Sequence, residues 1–172
     1  MRREKLNMAT PAAVAAGHGR YVLDDQVGFL LRVALQRHTA IFTTRMIEGL
    51  TQTQFAALAK LAEVAKLAEV GPCSQNHLGR LIYLDAVTIK GVVDRLSARG
   101  FLTALNDPND RRRRALALTE RGRQVTQAAQ LVAAEITAAM LAALTEEEQR
   151  LVTRAVEEAG LSFYRPIECL YR

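Results

Sequence analysis

Beyond residue 23, apolar positions recur at steps of three and four. Val27, Leu30, Leu31, Ala34, Ile41, Phe42 and Met46 fall on one stripe, with His38 among them. This period predicts a helix that begins near Asp24 and that Gly49 ends. Thr51-Gln52-Thr53-Gln54 then has the form of a capping box, with Thr51 as the cap and Gln54 reaching back. The helix it opens carries Phe55, Leu58 and Leu61 on one face and stops at Gly71-Pro72. Ser74 is placed to cap a short helix over 75–81, and Asp85, after a tight turn, to cap another over 86–99. Gly100 stands where a helix commonly closes in the left-handed conformation. Two short extended runs, 101–105 and 114–118, flank the turn residues Asp107-Pro108-Asn109-Asp110 and read as a β-hairpin. Thr119 caps a long helix to about residue 143, with Val125, Ala129, Val132, Ile136 and Met140 on one face. Thr145-Glu146-Glu147-Glu148 is a second capping box, and it opens a last helix with Leu151, Val152, Ala155 and Val156 inward. The order is four helices, a hairpin and two helices. Residues 1–23 show no period and are expected to form a disordered leader.

One segment breaks the pattern. AKLAEV occurs at 59–64 and again at 65–70. Six residues turn a helix by about 600°, roughly 240° past whole turns, so both copies keep one face only across a break or bulge.

Composition narrows the class. The chain has 172 residues, which suits one domain, or one domain with a dimerising extension. Hydrophobic residues at 49% and charged residues at 24% are ordinary for a soluble globular protein, and the abundance of Ala and Leu favours helix. The net charge is +5, and it has an address: residues 90–123 hold nine basic side chains against four acidic ones. A local basic face on a helical protein is the footprint of nucleic-acid binding. Cys73 and Cys169 lie far apart, and the three histidines have no acidic partner at a metal-binding spacing. A nucleophile elbow, a Gly-rich phosphate loop and a metal-ligand pair are all missing, so no catalysis, metal or cofactor is expected. No apolar stretch reaches the length of a membrane span, and the Ala-rich run 9–16 is too short and weakly hydrophobic for a signal peptide. The expectation is a cytoplasmic protein with no membrane partner.

Two short helices joined by a tight turn, followed by a hairpin tipped with Arg111, Arg112, Arg113 and Arg114, make a winged helix-turn-helix in a mainly α fold. A helix fits the major groove of B-DNA and reads base edges with its first turns. Ala86, Thr88, Lys90 and Gly91 open the second helix and Arg95 follows a turn later; Ser74 and Gln75 open the first. These residues and the four arginines form the expected DNA-binding set. Thr88 can bond a base or phosphate or simply support its helix, Lys90 supplies charge, and Gly91 lets the backbone come close. Val87 and Ile89 divide between thymine methyls and packing, and Val92, Val93 and Leu96 hold the helix to its domain. Arginine forks suit phosphate and the narrow, strongly negative minor groove.

The run SQNHLGRLIYLDAVTIKGVVDRLSARGFL followed by DPNDRRRRALALTERG resembles the MarR (multiple antibiotic resistance regulator) family of bacterial transcription factors, over roughly residues 24–160. Against the family pattern, the second AKLAEV is an addition of six residues. The resemblance implies one domain over 24–164, with dimerisation helices at 24–50 and 119–172 and a DNA-binding lobe at 51–118 whose wing spans 101–118. It implies a homodimer on a palindromic double-stranded operator, and a repressor released by a small ligand. It implies that Asp110 braces the wing and that Arg112 is its minor-groove finger. The chain looks most like regulators of aromatic-acid degradation, whose effectors are aromatic acids or their coenzyme A thioesters. Phe29, His38, Phe42 and Met46 on the first helix form a candidate wall for such a ligand, although His38 also suits a structural place at a dimer seam. The alternative is an architectural or redox-responsive DNA-binding protein without a small-molecule effector. Cys73, just ahead of the Ser74 cap, would be its sensor, since a helix N-terminus lowers a thiol pKa.

Overall fold

Hydrogen-bonding side chains fix where several helices begin. In the computed structural model, residues 21–66, 73–106 and 114–161 are described. They form α1 (Val27–Arg45), α2 (Gln52–Lys66), α3 (Gln75–Leu81), α4 (Ala86–Ala98), β1 (Leu102–Asn106), β2 (Arg114–Leu118), α5 (Glu120–Leu141) and α6 (Glu146–Leu161), with short 3-10 turns at Leu23–Asp25 and Ile47–Gly49. This is the expected mainly helical winged helix-turn-helix. At α2 the capping box closes both ways: Thr51 N–H donates to Gln54 Oε1 at 3.0 Å, and Gln54 N–H donates to Thr51 Oγ1 at 3.3 Å. Thr145 and Glu148 repeat the arrangement at α6.

The chain forms two compact units, Met1–Gln36 and Arg37–Arg172. In the first, the Arg32 guanidinium lies 5.0 Å from the centre of the Phe29 ring. Residues 1–20 of the expected leader lie outside the described residues. In the second unit, Leu58 of α2, Leu78 of α3, Ile89 and Leu96 of α4, Ile136 of α5, and Phe101 just ahead of β1 are fully buried in one apolar cluster. The strands pair antiparallel from Leu102↔Leu118 to Asn106↔Arg114. The first AKLAEV copy turns Leu61 and Val64 into the core, whereas the second lies outside the described residues beyond Lys66. Among the described residues no single helix is long and apolar enough to cross a membrane.

The passage from β2 into α5 is the tightest joint. Thr119 caps α5 by accepting from Gly122 N–H at 2.9 Å, and its hydroxyl donates to the Gly100 carbonyl at 2.7 Å. Its own N–H donates to the Phe101 carbonyl at 3.0 Å. A Cβ on Gly122 would fall inside the van der Waals shell of that same Phe101 carbonyl. The LTERG signature is thus a packing requirement as well as a helix start.

Three expectations need correction. The first helix ends at Arg45, four residues before Gly49; Met46 turns extended to bury its side chain, and Glu48 and Gly49 are left-handed at φ 55° and 57°. The first strand begins at Leu102, because Phe101 commits its carbonyl to Thr119 and its ring to the core. The inward face expected of the last helix is exposed: Leu151, Val152 and Val156 are 54%, 41% and 54% accessible. α6 leaves α5 at 109°, which carries that stripe away from the core of its own chain.

Gly122→Ala is expected to destabilise the fold by about 3 kcal/mol, because backbone rather than a movable side chain blocks the added methyl. Gly160→Ala, with nothing within 4 Å of the new carbon, should instead stabilise by about 0.5–1 kcal/mol. Urea unfolding of both variants checks the pair; equal effects would refute the close approach at Gly122.

Candidate nucleic-acid interface

The α3–turn–α4 unit is closed by small contacts that the sequence requires. Ser74 Oγ accepts from His77 N–H at 3.2 Å and starts α3. Gly79 is buried, and a Cβ there would meet Ile89 at 3.1 Å and the Leu84 carbonyl at 3.2 Å, so the two helices touch at this point. The turn passes through Tyr83 in the left-handed conformation (φ 56°), and Leu84 N–H returns to the Gly79 carbonyl at 2.9 Å. Asp85 then caps α4, accepting from the backbone N–H groups of Val87 and Thr88, each at 2.9 Å.

That cap sorts the side chains of α4. Ile89, Val92, Val93 and Leu96 face the core. Ala86, Val87, Thr88, Lys90, Asp94 and Arg95 are exposed, and Val87 is 82% accessible. An outward valine one turn from an outward lysine suits a thymine methyl beside a phosphate or base acceptor. Of the two residues, Ile89 takes the packing place and Val87 is left on the outer face. Thr88 Oγ1 donates to Asp85 Oδ2 at 2.6 Å. With its one proton spent, the hydroxyl offers DNA only acceptor lone pairs while Asp85 is ionised. Lys90 Nζ is paired with Asp94 Oδ2 at 2.6 Å. Gly91 is covered by Arg95, whose guanidinium would stand 3.3 Å from an added Cβ. Gln75 is half-buried at the first turn of α3.

The wing is fastened to this unit by a link that sequence periodicity did not reveal. Leu116 N–H donates to the Cys73 carbonyl at 2.8 Å, and Ser74 bridges to Ala115, so the chain entering α3 lines the edge of β2. An isolated bridge has no repeating pattern to betray it. Arg114 closes the hairpin opposite Asn106. Asp110, Arg111, Arg112 and Arg113 lie outside the described residues.

The basic excess of residues 90–123 needs discounting. Arg99 and Arg121 both approach the Glu48 carboxylate, at 3.3 and 3.8 Å, and Arg123 pairs with Glu120 at 2.5 Å. With Lys90 on Asp94, four of the nine cations already have an acidic neighbour. Arg80, exposed on α3 and outside the expected DNA-binding set, adds a cation on the other helix of the pair.

Three of the four residues expected to wall a ligand, His38, Phe42 and Met46, lie in the second unit. Phe42 and Met46 are buried in the core, with the Phe42 ring tilted against those of Phe55, at 6.1 Å between centres, and His38, at 5.9 Å. His38 is half-buried, and its Nδ1 lies 3.3 Å from Gln52 Nε2. Phe29 belongs to the first unit. A cavity of about 770 Å³ opens elsewhere, between the second half of α2, the base of the hairpin and the start of α5. Leu61, Leu105, Leu116 and Leu118 supply apolar wall; Lys66, Arg123, Gln127 and Gln130 supply polar groups.

Cys73 also borders this cavity, and it is buried. Burial pushes its thiol pKa up, and the nearby Arg80 charge only partly offsets this. Burial thus works against the thiolate form that a cysteine sensor needs. Cys169 lies outside the described residues. Among the described residues no three His, Cys, Asp or Glu side chains gather as a metal site.

Comparison with known proteins places this geometry. The model of the MarR family matches residues 50–113, from the start of α2 into the wing. The HTH-type transcriptional repressor NicR of Pseudomonas putida is 40% identical over 114 residues, which cover 66% of this chain and 68% of NicR. The crystal structure of a probable transcriptional regulator from Pseudomonas aeruginosa is 45% identical, with a TM-score of 0.72 over 78% of this chain and 97% of its own. BpsR of Bordetella bronchiseptica, whose DNA binding is regulated by 6-hydroxynicotinic acid, is 33% identical, with a TM-score of 0.74 over 83% of this chain and 98% of its own.

The Asp85 cap gives a pH test. The hydrogen bond from the Thr88 hydroxyl, followed by those from backbone N–H groups, holds its carboxyl below the usual aspartate range. A depressed folded value stabilises the native state above the ordinary aspartate pKa, and that share is lost as pH falls through the folded value. Asp85→Asn cannot titrate. The stability difference between wild type and this variant should be constant above about pH 5 and change progressively in acid. A difference that stays constant down to about pH 2 in urea titrations would show that the cap carries no charge-dependent share.

Proposed function

This chain belongs to the MarR family of transcriptional regulators, and we propose that it is a homodimeric repressor whose α4 reads a palindromic operator in the major groove while its arginine wing enters the minor groove. The observation that carries this reading is the outward face of α4. Val87 and Lys90 project from the first turns of a helix whose opposite face is sealed into the core. The DNA-facing set is Ser74, Gln75, Ala86, Thr88, Lys90, Gly91 and Arg95 with Arg111, Arg112, Arg113 and Arg114, braced by Asp110. Repression follows the NicR likeness. A second copy of the chain would cover the apolar stripe that α6 exposes. Two-fold symmetry then sets the half-sites about one helical turn apart, roughly 34–36 Å. The protein would act in the cytoplasm, beside the DNA it holds.

The effector of this repressor is a small aromatic acid or its coenzyme A thioester. Its site is the cavity at the wing base, whose volume suits a compact aromatic ring and a carboxylate. β2 forms one wall, and Arg123 Nη1 holds the Leu118 carbonyl at 3.0 Å, so an occupant bears directly on the wing. Release requires that the occupant prefer the conformation with misplaced wings and helices, since equal affinity for both states shifts nothing.

With roughly six to ten phosphate contacts per dimer, operator affinity should drop roughly 10³–10⁵-fold between about 50 and 200 mM salt. Fluorescence anisotropy on the promoter region beside its own gene measures this, and a flat salt response would refute the mechanism. The same titration with benzoate, 6-hydroxynicotinate and benzoyl-coenzyme A tests the effector. Ala62→Phe, which fills the cavity from α2, should keep operator affinity and lose release. Loss of release in His38→Ala, with Ala62→Phe responding normally, would move the site to the wall of α1.

A further inference from the structure

Glu48 sits in the 3-10 turn between α1 and α2, in a left-handed conformation (φ 55°) that non-glycine residues rarely adopt. Its neighbour Gly49 has the same conformation at no steric cost. A side chain kept at such a position commonly has a use, and this one is fully engaged. Arg99, the C-terminal cap residue of α4, donates from Nη2 to the Glu48 carbonyl at 2.5 Å and to its carboxylate at 3.3 Å. Arg121, in the first turn of α5, reaches the same carboxylate at 3.8 Å. Both guanidinium groups also lie over the Phe101 ring, at 4.6 and 5.1 Å from its centre. One carboxylate and one buried ring thus gather the α1–α2 turn, the far end of α4 and the near end of α5.

We propose that Glu48 is a positioning residue for DNA recognition, and that the Glu48–Arg99–Arg121 bracket over Phe101 sets the angle at which α4 is presented to the operator. The proposal rests on the reading of α4 as the recognition helix. The length of α4 gives the bracket leverage. α4 has 13 residues and is therefore about 20 Å long. A tilt of about 10° at its clamped C-terminal end displaces the DNA-reading end by roughly 3 Å, close to the step between base pairs. A single exposed ion pair would be too weak to set an angle. Here a backbone carbonyl, a shared carboxylate and two cation–π contacts act on the same two guanidinium groups. Arg99 and Arg121, counted by sequence in the basic excess of residues 90–123, have the bracket as their task.

Anisotropy titrations of wild type, Glu48→Ala, Glu48→Gln, Glu48→Asp and Arg99→Gln test this on operators whose half-site spacing is varied by single base pairs. The alanine and Arg99→Gln variants should bind the native spacing roughly three- to tenfold more weakly and lose discrimination between spacings. Glu48→Gln, which keeps the volume, should lie between wild type and alanine, and Glu48→Asp should recover much of the discrimination. The slope of log affinity against log salt should stay at the wild-type value, because every phosphate partner is retained. A second measurement needs no operator. Spin labels at Val87→Cys, with Cys73→Ala and Cys169→Ser, report the distance between the two α4 helices of a dimer, and Glu48→Ala should broaden that distribution. Unchanged spacing preference and an unchanged distance distribution would overturn the proposal. So would a shallower salt slope in Arg99→Gln, by about 0.9 for each phosphate no longer neutralised, since Arg99 would then be a phosphate ligand. Failure of the wild type to bind any operator would instead overturn the recognition-helix reading.

Discussion

The close approach of the α5 backbone to the carbonyl of Phe101 fixes the hairpin, α4 and α5 in one frame. Gly122 permits it by having no side chain, and Thr119 holds it by bonding to Gly100, Phe101 and Gly122 together. Gly100 takes the left-handed turn (φ 72°) that lets the chain leave α4 and place Phe101 beneath the junction. Because β1 begins at the next residue, the register of the wing is set at the same place. The two strands, α4 and α5 therefore meet over a few residues.

Magnitudes decide which interactions hold that frame and which adjust it. Ile89, Val92, Val93 and Leu96 are buried on α4, and each contributes about 1.5–3 kcal/mol relative to exposure. The ion pairs of Lys90 with Asp94 and Arg123 with Glu120 are exposed on both partners, and such pairs contribute about 0–1 kcal/mol each. The apolar face therefore determines that α4 is docked. The charged groups set the outer face, where a pair such as Lys90 with Asp94 opens at little cost.

The elements with a local cause were legible in the sequence. The Thr51, Ser74, Asp85, Thr119 and Thr145 caps stand where the chain predicted them, because each is a bond between residues two or three apart. Legibility failed where the cause is distant. The partner of Arg99 is 51 residues away, so a sum of charges counted it as free. The bridge from Cys73 and Ser74 to β2 has no period to detect. The stripe on α6 was visible as a stripe, but a pattern of apolar residues does not say whether its cover comes from the same chain or another copy. The helix-end rule for cysteine takes no account of burial, which pushes the Cys73 thiol up.

These features bear on how a DNA-binding protein of this kind could let go. A switch needs two states within a few kcal/mol, so the parts that differ between states cannot be the parts with the deepest packing. The junction at Gly122 and the core face of α4 are poor candidates, since disturbing either costs more than a modest ligand supplies. The Glu48 bracket and the Arg123 bond to the Leu118 carbonyl are better ones. They are polar and partly exposed, and they stand at the edges of the frame: one between the α1–α2 turn and α4, the other beside the cavity and β2. In the proposed mode of release, an occupant of that cavity would draw Arg123 away from Leu118 and loosen the wing without opening the core. The frame would then stay folded while its presentation to DNA changed, so that folding stability and DNA affinity would respond separately to the same ligand.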